Sequence, residues 1–247
     1  PATAEDESDA LQSNTNNSSE PEDENIAAAA ARKAVGGYES NLRYYVRNLW
    51  KGDISLFEFI DGFQKNIRSY FQEAWWQGAA LCGISADEMT DEEKIRLDLE
   101  TNIEFTYVVP FGQAIVEGSK ANGGSLDPFL NRVGLWGNTY NRILTLGQTM
   151  ACADQRGIWV LGRTEKHCFD CAGYAGRVYR MSVWRKFLEP YDALPKGHGL
   201  SCGGWNCDCS IDITNAPFTR GYPPKPVGGF KKSHEHPVVV ERDLVPA

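Results

Sequence analysis

Apolar residues recur every three or four positions along three stretches of the chain, the spacing that gives a helix one apolar face. The first stretch runs through Leu56, Ile60, Phe63, Ile67, Tyr70, Ala74, Gly78 and Leu81 and ends at Gly83. Ser55 and Glu58 form a capping box at its start, each side chain satisfying a backbone N–H that the first helical turn leaves open. The second stretch, Ile95, Leu99, Ile103 and Tyr107, opens with the same box at Thr90 and Glu93. It meets Pro110, which is expected to kink or end the helix because proline lacks a donor and crowds the preceding turn. The third carries Leu130, Val133, Trp136, Tyr140, Ile143, Gly147 and Met150, after an Asp127 N-cap with Pro128 at the first helical position. Three amphipathic helices with short polar connections predict an antiparallel helical body. The aromatic residues Phe63, Tyr70, Trp136 and Tyr140 on these stripes are assigned to its core.

The flanking segments have a different pattern. Residues 1–25 are mostly Ser, Asn, Asp and Glu, with too little apolar surface to offset the entropy of ordering, and are read as a disordered acidic tail. An alanine-rich stretch, Ile26–Ala34, starts a helix that Gly36 and Gly37 are expected to interrupt. Beyond Asp154 the helical period is lost. Gly157–Gly162 reads as a short strand bounded by glycines, Arg177–Tyr179 as a second, and Ser182 as the cap of a short helix through Trp184 and Phe187. Glu189–Ser201 is a Pro/Gly loop, Cys207–Ile213 alternates as a strand does, and the chain after Asn215 reads as an extended arm with a last strand at Val238–Val240. The expected fold class is α+β, mainly α. An acidic tail (1–25) precedes an antiparallel helical body (26–153), a small Cys-rich, β-containing module (154–214) and an extended arm (215–247).

Composition narrows the function classes. The eight acids of residues 1–25 account for the whole net charge of −8, because the remaining 25 acids match the 25 Lys and Arg. A neutral body lacks the broad basic footprint of a non-specific nucleic-acid binder. No apolar run reaches the roughly 20 residues of a membrane-spanning helix, and no signal-peptide pattern opens the chain. Seven cysteines, five of them after residue 167, suit a metal site in a reducing compartment better than a secreted disulfide framework. Cys82 and Cys152, at the ends of apolar stripes, are read as small buried hydrophobes.

The chemistry concentrates in Cys168-x-x-Cys171 and, thirty residues on, Cys202-x4-Cys207-x-Cys209, with His167 and His198 nearby. A C-x-x-C turn brings two thiolates to one side of a tight loop, as each half of a tetrahedral zinc shell requires. Cys207 and Cys209, two apart on an expected strand, point to one face. The second half of the shell is then drawn from Cys202, Cys207, Cys209 and His198. Zinc is the first reading, unliganded structural cysteines the second and disulfides the third. A redox role for Cys168 and Cys171 would want a βαβ setting, which the pattern lacks. His234 and His236 lie in the arm with no acid or Cys spaced to complete a site.

The run Trp159-Val160-Leu161-Gly162-x-Thr164-Glu165-x-His167-Cys168-x-x-Cys171, then Gly176-x-Val178 and Trp184, then Leu200-x-Cys202-Gly203-Gly204-x-Asn206-Cys207-x-Cys209, resembles the C-terminal module of tailed-phage head-morphogenesis proteins, the minor head proteins similar to that of phage Mu. Leu49-Trp50-x-Gly52, Ile54-Ser55-x-x-x-Phe59, Trp76 with Gly78, Leu135-Trp136-x-Asn138-x-Tyr140 and Arg220-Gly221 fit the same family, so the resemblance spans roughly residues 45–222. It implies a structural protein of the virion, acting near the portal vertex during head assembly in the host cytoplasm, with the portal and major capsid proteins as partners. It carries over no catalytic residue. The family's frequent His-Pro before the last cysteines is here His198-Gly199, which weakens the ligand role of His198. The competing reading is a zinc-supported nucleic-acid-binding or nuclease protein, drawing on Arg177, Arg180, Arg185 and Lys186; Asp170, Glu189 and Asp192 lie close to those bases.

Overall fold

The structure, a computed structural model, describes residues 20–163, 166–204 and 207–227, with side chains from Lys33 onward. Four long helices form the body: α1 (Glu20–Lys51), α2 (Leu56–Ala80), α3 (Asp91–Glu117) and α4 (Asp127–Ala151). The chain then builds β1 (Arg156–Val160), α5 (Phe169–Tyr174), β2 (Val178–Arg180), α6 (Met181–Leu188) and β3 (Ser210–Ile213). The three strands form an antiparallel sheet in the order β2-β1-β3, so the fold is mainly α with a small sheet. None of the described helices is long and apolar enough to cross a membrane. The expected strand at Val238–Val240 and the histidines His234 and His236 lie outside the described residues.

Both capping boxes form. The Ser55 N–H donates to Glu58 Oε2 at 2.7 Å, and the Thr90 N–H to Glu93 Oε2 at 2.9 Å. Two expected breaks do not occur. Helix α1 begins at Glu20, inside the stretch assigned to the tail, and passes through Gly36 and Gly37 without interruption. Tyr38, Leu42, Val46 and Leu49 are buried along its inner face, and that packing outweighs the roughly 1 kcal/mol each glycine costs. Helix α3 likewise continues past Pro110, whose ring lies on the exposed face, where solvent can satisfy the carbonyl its missing N–H leaves open. Helix α4 starts at Asp127 with Leu126 in the cap position, one residue earlier than the expected Asp127 cap, and Asp127 makes no side-chain cap.

Helices α2 and α4 pack most closely. A Cβ at Gly78 would stand 2.1 Å from the Leu144 carbonyl oxygen, and one at Gly147 2.6 Å from that of Trp75. The two glycines let the backbones approach where side chains would hold them apart. Phe59, Phe63, Phe111 and Trp136 fill the space beside this contact, the Phe63 and Trp136 rings meeting edge to face at 5.1 Å.

The expected face of α3 is reversed. Ile95 is 70 % exposed, Leu99 48 % and Tyr107 39 %, while Leu97, Glu100, Thr101, Glu104, Val108 and Phe111 point inward. Charge pairing explains the choice. Arg142 on α4, itself buried, holds Glu100 Oε2 at 2.7 Å, and Arg96 holds Glu100 Oε1 at 2.7 Å. Compensated in this way, a glutamate can occupy the inner face and leave the isoleucine outside.

The Cys-rich segment packs on α4 rather than standing apart, and one apolar core runs through both. Trp159, Tyr174 and Trp184 are fully buried together, with Trp184 Nε1 donating to the Gly157 carbonyl at 2.9 Å. Gln148 on α4 donates to the Ile211 carbonyl at 3.0 Å. A chain of ion pairs continues the contact: Arg96 to Glu189 at 2.7 Å, Arg142 to Asp192 at 3.5 Å, and Asp192 to His198 Nδ1 at 3.1 Å. Where the arm is described it lies across the module. Thr219 pairs with Val178, Phe218 lies under the Arg156 guanidinium, and Tyr222 stacks on Phe187.

Two cysteines behave differently from their sequence reading. Cys82, just past α2, and Cys152, at the C-cap of α4, are joined in a disulfide with Cα atoms 5.6 Å apart. They are therefore not merely buried hydrophobes. The glycine-matched approach of α2 and α4 brings their C-terminal ends together, which no spacing in the sequence reveals.

Candidate metal centre

The remaining five cysteines are free and converge on one place. Cys168 caps α5, and the Cys171 N–H points at its sulfur at 3.4 Å. Motif and helix N-terminus coincide, as a redox pair would want, but the adjoining strands are antiparallel and supply no βαβ unit. Cys202 sits on a tight turn whose Gly203 and Gly204 have φ of 61° and 72°, the left-handed region that favours glycine. Cys207 and Cys209 lie just before β3 rather than on it, since the strand starts at Ser210.

The sulfur atoms form two overlapping triads. Cys168, Cys171 and Cys202 lie within 4.8 Å of one another, as do Cys171, Cys207 and Cys209, so Cys171 belongs to both. Cys171 Sγ and Cys207 Sγ are 3.9 Å apart. These groups are close enough to hold a metal ion. The donor set is all sulfur, with no carboxylate in either triad, which suits a soft or borderline cation and argues against Mg²⁺ or Ca²⁺.

His198 joins neither triad. Its ring nitrogen and its backbone N–H both engage Asp192 Oδ2 at 3.1 Å, which fixes the loop before Cys202 and links it to Arg142. That pairing raises the His198 pKa above the ordinary imidazole value. Asp192 is held below the usual carboxylate range, because its bond to His198 and the Arg142 charge outweigh burial.

Electrostatics around the thiols are uneven. Hydrogen bonds from Cys171 and Cys209 pull Cys207 down to about 2, and its contacts with Cys207 and Cys209 push Cys171 up. Burial, with a bond to Cys168, raises Cys202 to about 12. The Cys171 N–H donates to the Cys168 sulfur at 3.4 Å. Such a bond stabilises thiolate and orients it, as the surroundings of metal ligands do. Lys196, half-buried, has its pKa lowered by desolvation, against the opposing charges of Asp208 and then of Cys207 and Cys209.

Sequence reasoning missed Asp170. It is 3 % exposed inside the C-x-x-C motif, accepts the Ser201 N–H and the Val227 N–H at 2.7 Å each, and its own N–H donates to the Ser201 hydroxyl oxygen at 3.2 Å. This bolt sets the Cys168–Cys171 turn against the Cys202 turn and ties down the arm. Gly162 was also missed, as a close approach to the Asp208 carbonyl, where a Cβ would stand 2.3 Å away. An acid between two motif cysteines was the one available signal, but its partners lie 31 and 57 residues away.

The fold and the site thus define a mainly helical protein carrying a five-thiol module. No known protein family, curated protein or solved structure matches the chain.

Proposed function

We propose that the protein is a structural component of a tailed-phage head, a minor head protein that acts near the portal vertex during assembly, with one zinc ion stiffening its C-terminal module. The observation that supports this reading is the use to which the resemblance motif is put. Trp159, Val178, Trp184 and Leu200 are buried in the module's core, and Cys168, Cys171, Cys202, Cys207 and Cys209 form its thiol cluster. A motif whose residues go to a packed core and a thiol cluster supports a scaffold role. Zinc is the cation that tetrahedral thiolate sites most commonly hold for structure. In this reading the ion is bound by four thiolates and contributes folding energy to the module rather than chemistry. The portal and major capsid proteins are the partners.

A second reading, a zinc-supported nucleic-acid binder, draws on the guanidinium groups of Arg156 and Arg180, cross-strand neighbours that both approach the exposed Phe218 ring, 4.5 and 5.9 Å from its centre. Aromatic rings flanked by arginines are used to stack bases. Quantitative peptide mass spectrometry of purified particles separates the two. Peptides from this chain at a few per cent of the major capsid protein support the head component. Their absence from particles, with salt-dependent binding to single-stranded DNA, supports the second reading.

A further inference from the structure

Five thiols exceed the four positions of a tetrahedral ion, and their arrangement indicates which position is contested. Cys171 belongs to both triads, so any single ion sits on it. Cys171 and Cys209 are buried, and Cys207 is partly so. Cys207 Sγ lies 3.9 Å from Cys171 Sγ, and the segment leading to Cys209 is fixed by the close approach of Gly162 to the Asp208 carbonyl. Cys168 and Cys202 are each partly exposed, and their sulfurs lie within 4.8 Å of each other and of that of Cys171. They come from different elements, one on the cap of α5 and the other on the Gly203–Gly204 turn, and the Asp170–Ser201 bolt keeps both turns in register.

We propose that Cys171, Cys207 and Cys209 are the fixed ligands of one zinc ion, and that Cys168 and Cys202 are alternative occupants of its fourth position. Whichever thiol is not bound stays beside the ion as a hydrogen-bonding neighbour. This rests on the reading of the module as metal-held and names its ligands. Two consequences follow. Either outer cysteine alone sustains the site, and the zinc-loaded chain keeps one alkylatable thiol, at Cys168 or at Cys202.

The test uses the full chain loaded with zinc, the Cys82–Cys152 disulfide intact, and measures metal stoichiometry, chelator competition and the cobalt-substituted spectrum. Wild type, Cys168→Ser and Cys202→Ser are each expected to hold one ion. The single variants should lose roughly 10–100-fold in affinity, the range typical for removing a group that supports a ligand. Their cobalt spectra should retain the sulfur-to-cobalt charge-transfer intensity of four thiolates. The double variant and Cys171→Ser should lose the ion. Iodoacetamide on the zinc-loaded wild type should modify one thiol per chain, divided between Cys168 and Cys202. If one single variant drops the ion as Cys171→Ser does while the other matches wild type, the fourth ligand is dedicated and the proposal fails. Two ions per wild-type chain would also overturn it, with Cys171 as a bridge. A wild type that binds no zinc fails at the earlier step, the metal-held module itself. Because the spectra are read on loaded single variants, a misfolded Cys171→Ser protein leaves the proposal testable.

Discussion

The helical body and the Cys-rich module solve the same problem by different means. In the body, stability comes from long regular elements whose apolar stripes interlock, with backbone bonds satisfied inside each helix. In the module, strands of three to five residues contribute little of that kind. Side chains such as Asp170, Trp184 and Asp192 fix its backbone instead, and five thiols meet at its end. Removing one contact from the body leaves many others; removing one pin from the module frees a loop. Regular structure tolerates single losses because its interactions are numerous and local, whereas a pinned module concentrates its stability in a few long-range groups.

That contrast can be broken experimentally. The largest effect is expected from Cys171→Ser, which removes the sulfur common to both triads. The module should lose protease protection while the body keeps its helical circular dichroism and a cooperative melt. Loss of both together would show that the shared core, rather than the thiols, governs the module. Next comes Arg142→Ala, which leaves buried Glu100 with Arg96 as its remaining ion-pair partner and removes the charge that offsets the burial of Glu104. Burial already pushes Glu104 above the ordinary carboxylate range, so the loss should be about 3–5 kcal/mol in urea unfolding. A loss below 1 kcal/mol would mean the ion-pair chain is ornamental.

Reducing the Cys82–Cys152 disulfide, or replacing both residues with Ser, should cost about 4 kcal/mol, the value expected for a closed loop of 70 residues. Unchanged melting in reductant would show that helix packing alone holds those ends together. Gly78→Ala sets a methyl group against backbone that cannot rotate away, and about 1–3 kcal/mol should be lost. A neutral result there would mean that α2 and α4 can slide apart freely.

The smallest effect concerns pH. The folded-state pKa of His198 is raised, so its contribution is complete below the unfolded value near 6.5 and is lost as pH rises through the folded value. Asp192 is lowered, so its contribution is complete above about 3.9 and is lost on acidification. The pair is therefore strongest between about pH 4 and 6.5. The imidazole is more than half exposed and screened by water, so melting should fall by only about 1–2 °C from pH 6 to pH 8. His198→Asn should flatten that slope, and an unchanged slope would assign it to another group.

How far the sequence could be read depended on the range of the interactions involved. The boxes at Ser55–Glu58 and Thr90–Glu93 and the stripe of α4 were legible because every partner lies within four residues or on one face. The stripe of α3 was misread because Ile95 and Leu99 looked like the inner face, and only Arg142, 42 residues from Glu100, made the opposite face tolerable inside. Gly36 and Gly37 looked like breaks because propensity is local, yet the surface that α1 buries is tertiary. At the site the five cysteines were legible as a set, because sulfur at those spacings has few other uses. His198 was offered as a ligand by its neighbours in sequence, but Asp192 takes its ring.

The sequence by itself determined the helical body, the capping boxes of α2 and α3, the change of character near Asp154 and the identity of the five clustered thiols. Each of these follows from periodicity, from partners a few residues apart, or from the rarity of the residue type. Only the tertiary structure decided the inward face of α3, the joining of Cys82 to Cys152, the alignment of two turns by Asp170, and the sharing of Cys171 between two triads. Those outcomes depend on which distant backbones come within a few ångströms of each other, and such distances are fixed by packing of the whole chain rather than by any stretch of it.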